Sequence, residues 1–104
     1  MASPQAIIAP VNATNTPAIA SAATALAANQ ARAGWSIQNL GTNALFVRLG
    51  AAASTTEFHY VLRAGSVADD GIGGVLSQME GVVYAGIVTI AGTSPRYTVT
   101  ELTQ

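Results

Sequence analysis

His59 is the only histidine in the chain, and there is no cysteine. A nucleophile activated by His59 would therefore be a hydroxyl, with an acid brought alongside in space. No Gly-x-Ser-x-Gly elbow is present to present such a serine. The setting of His59, between Phe58 and Tyr60 in a β-rich stretch, reads as that of a structural or surface histidine. Asp69-Asp70-Gly71 invites a calcium reading. A calcium loop needs several oxygen ligands at fixed spacing, closed by a bidentate acid. Glu80 is the nearest later acid, and its interval does not fit that pattern, so the stretch reads as a solvated turn. Gly71, Gly73 and Gly74 do not complete a phosphate loop, because position 76 is Leu and the chain has no lysine. Glu57, Glu80, Glu101, Asp69 and Asp70 show no pairing that suits glycoside hydrolysis. Trp35, Tyr60, Tyr84 and Tyr97 could line a sugar-binding surface or fill a core, and alternating strand positions favour the core. Asn12-Ala13-Thr14 matches a glycosylation sequon, which has no consequence in the absence of a secretory signal. These residues predict no enzyme, no bound metal and no cofactor.

The elements that would position these groups read as strands. Gly34 to Leu40 is the first clear one. Gly41-Thr42-Asn43 follows as a turn, since Gly and Asn tolerate positive φ. In Ala44 to Leu49, Leu45, Val47 and Leu49 share one face while Phe46 and Arg48 share the other. The short link predicts that these two strands form a hairpin. Phe58 to Arg63 is the next strand, then a turn at Ala64-Gly65-Ser66 and a flexible loop from Asp69 to Gly74. Val75 to Glu80 reads as a short strand. Val82 to Ile90 reads as a long apolar strand buried on both faces. Arg96 to Leu102 closes the domain. Strands of this length and spacing predict an all-β fold, an antiparallel β-sandwich or jelly-roll-like barrel of six to eight short strands.

The first third of the chain differs. Met1 to Pro17 carries Pro4, Pro10 and Pro17, which stop helix propagation, so it reads as an extended arm. Ile7, Ile8 and Val11 are its large apolar groups besides Met1. They would anchor the arm on a neighbour, or the arm is a disordered tail in the isolated chain. Ala18 to Ala28 is open to two readings. Its alanines and the Thr16-Pro17 start favour a helix, whereas a strand ending before Asn29 fits as well.

Composition bounds the function. The 104 residues suit one domain. Half are hydrophobic, yet only 9% are charged, against about 25% in an ordinary soluble domain. A free monomer covers its surface with charge to stay soluble. A surface of Ala, Thr, Ser, Gly, Asn and Gln suits burial against partners. The net charge is −1, and the four basic residues, Arg32, Arg48, Arg63 and Arg96, stand singly. Direct nucleic-acid binding would need a basic patch to displace counterions, so none is expected. The run from Gly81 to Gly92 is too short and Gly-rich to span a bilayer, so no membrane contact is expected.

The stretch Arg32-Ala33-Gly34-Trp35-Ser36-Ile37-Gln38-Asn39-Leu40-Gly41-Thr42-Asn43-Ala44-Leu45-Phe46-Val47-Arg48-Leu49-Gly50 resembles a pattern found in small tailed-phage virion proteins. Those sequences read Asn, a few residues, Arg, then an apolar strand ending in Ile-Gln-Asn, a Gly/Asn turn and a strand ending in Gly. Asn29 and Arg32 occupy the opening positions here. Phe58 to Gly65, Gly81 to Ile90 and Tyr97 to Glu101 resemble later strands of the same family, so the resemblance runs from about Leu26 to Leu102. Such proteins are similar to capsid decoration (cement) proteins. Ser66 to Gly81 is longer and more acidic than in the simplest members.

The resemblance implies a strand for Ala22 to Ala28, and with it a division into an extended arm, residues 1–21, and a β-sandwich domain, residues 22–104. It implies a decoration protein on the capsid surface of a virion, made in a host cytoplasm. Its partners would be the major capsid protein and further copies of itself, as a trimer. Ile7, Ile8 and Val11 of the arm, with Asp69 and Asp70 of the loop, are the expected partner-binding residues. The competing expectation is a tail or head-fibre module that binds a host surface glycan.

Overall fold

The computed structural model describes residues 11–16, 22–77 and 83–103. Among them are eight strands and no helix. The strands are β1 (Val11–Thr16), β2 (Ala22–Leu26), β3 (Arg32–Asn39), β4 (Leu45–Leu49), β5 (Tyr60–Leu62), β6 (Val75–Ser77), β7 (Val88–Gly92) and β8 (Tyr97–Thr103). They form two four-stranded antiparallel sheets, ordered β1-β8-β3-β6 and β2-β7-β4-β5. The two sheets stay separate, so the fold is an all-β sandwich and not a closed barrel.

Alternation along the strands builds the core. On β3, Trp35, Ile37 and Asn39 are buried while Ser36 and Gln38 are half-exposed. Leu45 and Val47 of β4, Val88 and Ile90 of β7, and Tyr97 and Val99 of β8 complete one continuous apolar layer with Leu26 and Leu62. Most of these side chains are branched or aromatic, which suits a pleated surface buried on one side.

The expected hairpin across Gly41–Asn43 does not form. β3 pairs with β6 and β8, whereas β4 pairs with β5 and β7. The chain instead arches from one sheet to the other, so that Ile37 and Leu45 share the core from opposite sides. The arch is built on Asn39, which is 1% exposed. Its Oδ1 accepts the Gly41 N–H at 2.9 Å, and its Nδ2 donates to the carbonyls of Asn43, Leu62 and Arg63. A side-chain amide thus satisfies the backbone of a link too long for a two-residue hairpin turn.

The long apolar strand expected from Val82 to Ile90 is also shorter and displaced. Regular pairing begins only at Val88 and runs to Gly92. Burial on both faces holds for β7 itself, all five residues of which are buried. Val88 and Ile90 face the core. Thr89 and Ala91 face outward and are covered by the loop after β4, where Ala53 is buried. Thr89 Oγ1 fastens that loop, lying 2.6 Å from the Ala51 carbonyl.

Residues 11–16, part of the stretch expected to be an arm, form β1. This strand pairs with β8 from Val11↔Leu102 to Thr16↔Tyr97. Val11, Thr14 and Thr16 favour extended backbone, Asn12 and Asn15 do not, and β8 supplies the ladder that holds all six residues. Ile7 and Ile8 lie outside the described residues.

Candidate functional site

The 64–77 region holds the described loop residues expected to bind a partner, and its backbone explains their positions. Asp69 adopts φ 63°, a left-handed conformation that Asp tolerates better than most residues. Its N–H donates to the Leu40 carbonyl, tying the loop to the arch. Its carboxylate receives both Nε and Nη2 of Arg96, each at 2.8 Å. This fork geometry holds the Asp69 carboxyl below the usual carboxylate range and raises Arg96 in turn. Asp70 works on the loop itself. Its two oxygens accept the N–H groups of Val67, Ile72 and Ser66, which lowers its pKa in that order of cause, the Val67 contact being largest. A loop that aims three amides at a carboxylate is wound around an anion, the opposite of a cation site. Among the described residues no cluster of three His, Cys, Asp or Glu side chains could hold a metal.

Two glycines let this loop cross between the sheets. The Asn39 N–H donates to the Gly74 carbonyl, and the Gly74 N–H donates to the Arg63 carbonyl. A Cβ at Gly73 would run into the Asn39 carbonyl, and one at Gly74 would crowd Arg63 N. The outcome is a pinned loop with Val67, Ile72 and Val75 exposed on its surface.

Val11 does not join this loop. It pairs with Leu102, whereas Asp69 meets Arg96 just before β8 begins. Six residues of extended chain separate the two, about 20 Å at the usual strand rise. The expected partner-binding residues that can be placed therefore lie at opposite ends of one sheet.

His59 closes the β4–β5 ladder. Its own N–H donates to the Val47 carbonyl, and its Nδ1 accepts the Leu49 N–H at 3.0 Å. Of the four aromatics, Trp35 and Tyr97 are buried, and Tyr84 is half-buried with its hydroxyl donating to the Ile87 carbonyl. Tyr60 alone among them is exposed.

No family model, no curated protein and no solved structure matches the chain. Its residues and geometry therefore carry the functional argument.

Two features of that geometry are not among the expected site residues. One is Arg32. A register shift between Arg32 and Gly34 flips the parity of β3, so Arg32 is buried on the same strand as Trp35 and Ile37. Its Nε donates to Glu101 Oε2 at 2.8 Å, Nη1 to the Tyr84 and Gly86 carbonyls, and Nη2 to the Ala27 carbonyl. The Asn29-to-Arg32 spacing was the available signal: Asn29 Oδ1 and its carbonyl accept the N–H groups of Ala31 and Arg32, forming the turn before the bulge. The other is a concentration of exposed apolar groups. Six of the seven exposed large hydrophobics among the described residues fall between Phe58 and Val75. Alternation alone did not signal it, because Phe58 and Tyr60 share the parity of buried Leu62 yet remain exposed.

Proposed function

We propose that this chain is a structural, non-catalytic virion protein: a capsid decoration (cement) protein that binds the major capsid protein and stabilises a phage head. The carrying observation is the division of its surface. The carboxylates of Asp69, Asp70 and Glu101 are engaged within the chain, while one flank presents Phe58, Tyr60, Val61, Val67, Ile72 and Val75. Carboxylates already engaged lose little when water is excluded from them, and exposed apolar groups gain, while Arg63, exposed on the same stretch, would need an acidic group on the docked surface. That arrangement supports permanent docking onto protein. The phage shell as the docking surface follows from the resemblance across residues 29–50. Many copies in a symmetric lattice would repeat each weak contact.

The test is stoichiometry in the purified particle. A decoration protein is present at a copy number close to that of the shell subunit or a simple fraction of it. A handful of copies per particle would instead place it in a tail or head fibre. The arm is tested by removing residues 1–10 only, because β1 begins at Val11 and belongs to the sheet. Occupancy on the shell should fall while the circular dichroism of the domain is unchanged.

A further inference from the structure

Three of the four arginines are matched with acids inside the chain. Arg32 meets Glu101 and Arg96 meets Asp69, each at 2.8 Å, and Arg48 lies 3.8 Å from Glu57. Asp70 is taken up by backbone N–H groups. Arg63 is the exception: it is exposed, and among the described residues no acid pairs with its guanidinium. It follows β5, where alternation puts it on the same outward face as His59 and Val61, the latter 47% exposed. His59 Nδ1 accepts the Leu49 N–H, so the neutral ring carries its proton on Nε2, a second donor with no acceptor among the described residues.

These two donors stand on either side of an apolar centre. Val61 sits opposite Phe46 in register, and the Phe46 ring packs on Phe58 with centroids 4.9 Å apart. A partner that covers Val61 and this ring pair also takes water away from Arg63, and a buried cation without a counter-charge is strongly unfavourable. Phosphate polymers are held by clusters of cations. One unpaired guanidinium among aromatic and aliphatic groups is instead the make-up of a protein interface.

We infer that the protein surface docked on this face sets a carboxylate against Arg63 and apolar side chains against Val61 and the Phe46–Phe58 pair, so that Arg63 selects the surface. The inference rests on the docking reading above and gives its partner a chemistry. The chain has no lysine, so Arg63→Lys keeps the charge and introduces a single side-chain amine. Phage particles assembled without the chain are loaded with purified protein and treated with a water-soluble carbodiimide, which activates carboxylates for amide formation. The R63K protein should couple to the major capsid protein, and peptide mass spectrometry should place the bond on one Asp or Glu. Thr24→Lys, exposed on the opposite edge of the sheet, should couple at least about tenfold less. The unmodified chain gives the background from its α-amine. Arg63→Glu should load at least about tenfold more weakly with unchanged circular dichroism, because Arg63 has no acid partner within the fold to lose. Converting the coupled acid of the shell to lysine should restore its loading. Full loading of R63E overturns the inference, as does equal coupling from positions 24 and 63. So does coupling confined to a second copy of the chain, or displacement by inorganic polyphosphate with no coupling at all. Each of these outcomes leaves occupancy of the shell, and with it the decoration reading, standing. An unmodified chain that does not load onto the particles overturns the decoration reading itself, and this inference with it.

Discussion

Arg32 is a buried cation that joins three parts of the fold through one planar group. It links the end of β2, the segment before β7 and Glu101 of β8. Removing one partner of such a pair leaves the other charge without compensation, so Arg32→Ala should destabilise the domain by about 3–5 kcal/mol. That is a large share of the roughly 5–15 kcal/mol that holds a domain together. Arg32→Lys should recover only part, since an ammonium cannot reproduce the planar fork. Urea denaturation followed by Trp35 emission measures both. Asn39→Asp should also be costly, because an acceptor would then face the carbonyls of Leu62 and Arg63, and each orphaned buried group costs about 1–3 kcal/mol. The loop carboxylates add a pH dependence. Asp69 and Asp70 titrate in the folded state below the 3.8 of an unperturbed aspartate. Their contribution is fully present above that value and is lost as pH falls through the lower folded values. Urea midpoints should therefore drop on acidification below about pH 4, and Asp70→Asn should flatten that decline.

Elements differ in how much of them the residues disclose. The strands containing Ile37, Val47 and Val99 announce themselves by alternation, since a period of two is a local property that survives any sheet order. Their partners do not, because pairing depends on which side of the core the chain crosses to. Gly41 to Asn43 signals a turn equally well whether it closes a hairpin or an arch, and the deciding group is the Asn39 side chain. Arg32 was hidden for a related reason. Its burial depends on a bulge, and a bulge changes parity without changing composition. The crossing loop offers a test at this scale. Gly73→Ala should be strongly destabilising, because its Cβ meets backbone, whereas Gly71→Ala meets nothing and should lose only about 1–2 kcal/mol for its φ of 79°. Comparing the thermal midpoints of the two variants separates steric overlap from conformational strain.

Across the whole molecule the pairings are mostly distant in sequence. β4 with β5 joins neighbours, but β1–β8, β3–β8, β2–β7, β4–β7 and β3–β6 each close long loops. Chain entropy must be lost before these contacts form, so refolding should be slow, in the range of about milliseconds to seconds for β-sandwiches. Stopped-flow emission of Trp35, 5% exposed in the native state, is the direct measurement. Microsecond refolding would indicate a different order of assembly. The same topology gives the two flanks of the sandwich different surfaces. One edge of the β1-β8-β3-β6 sheet is completed by β1, which precedes the rest of the domain, while the far flank carries the exposed apolar groups.

The pairing of β1 with β8 also sets how the molecule responds to force. Val11 lies opposite Leu102, so the two strands run antiparallel with the early end of one beside the late end of the other. A load applied between those two residues pulls on the adjacent ends of the ladder. Its rungs then bear the tension one at a time and open like a zipper. A load between Thr16 and Leu102 pulls along the strands, so all six pairs resist together in shear. A tether at the Val11 end can therefore peel β1 from the sheet at low force, and one fixed beyond Thr16 cannot.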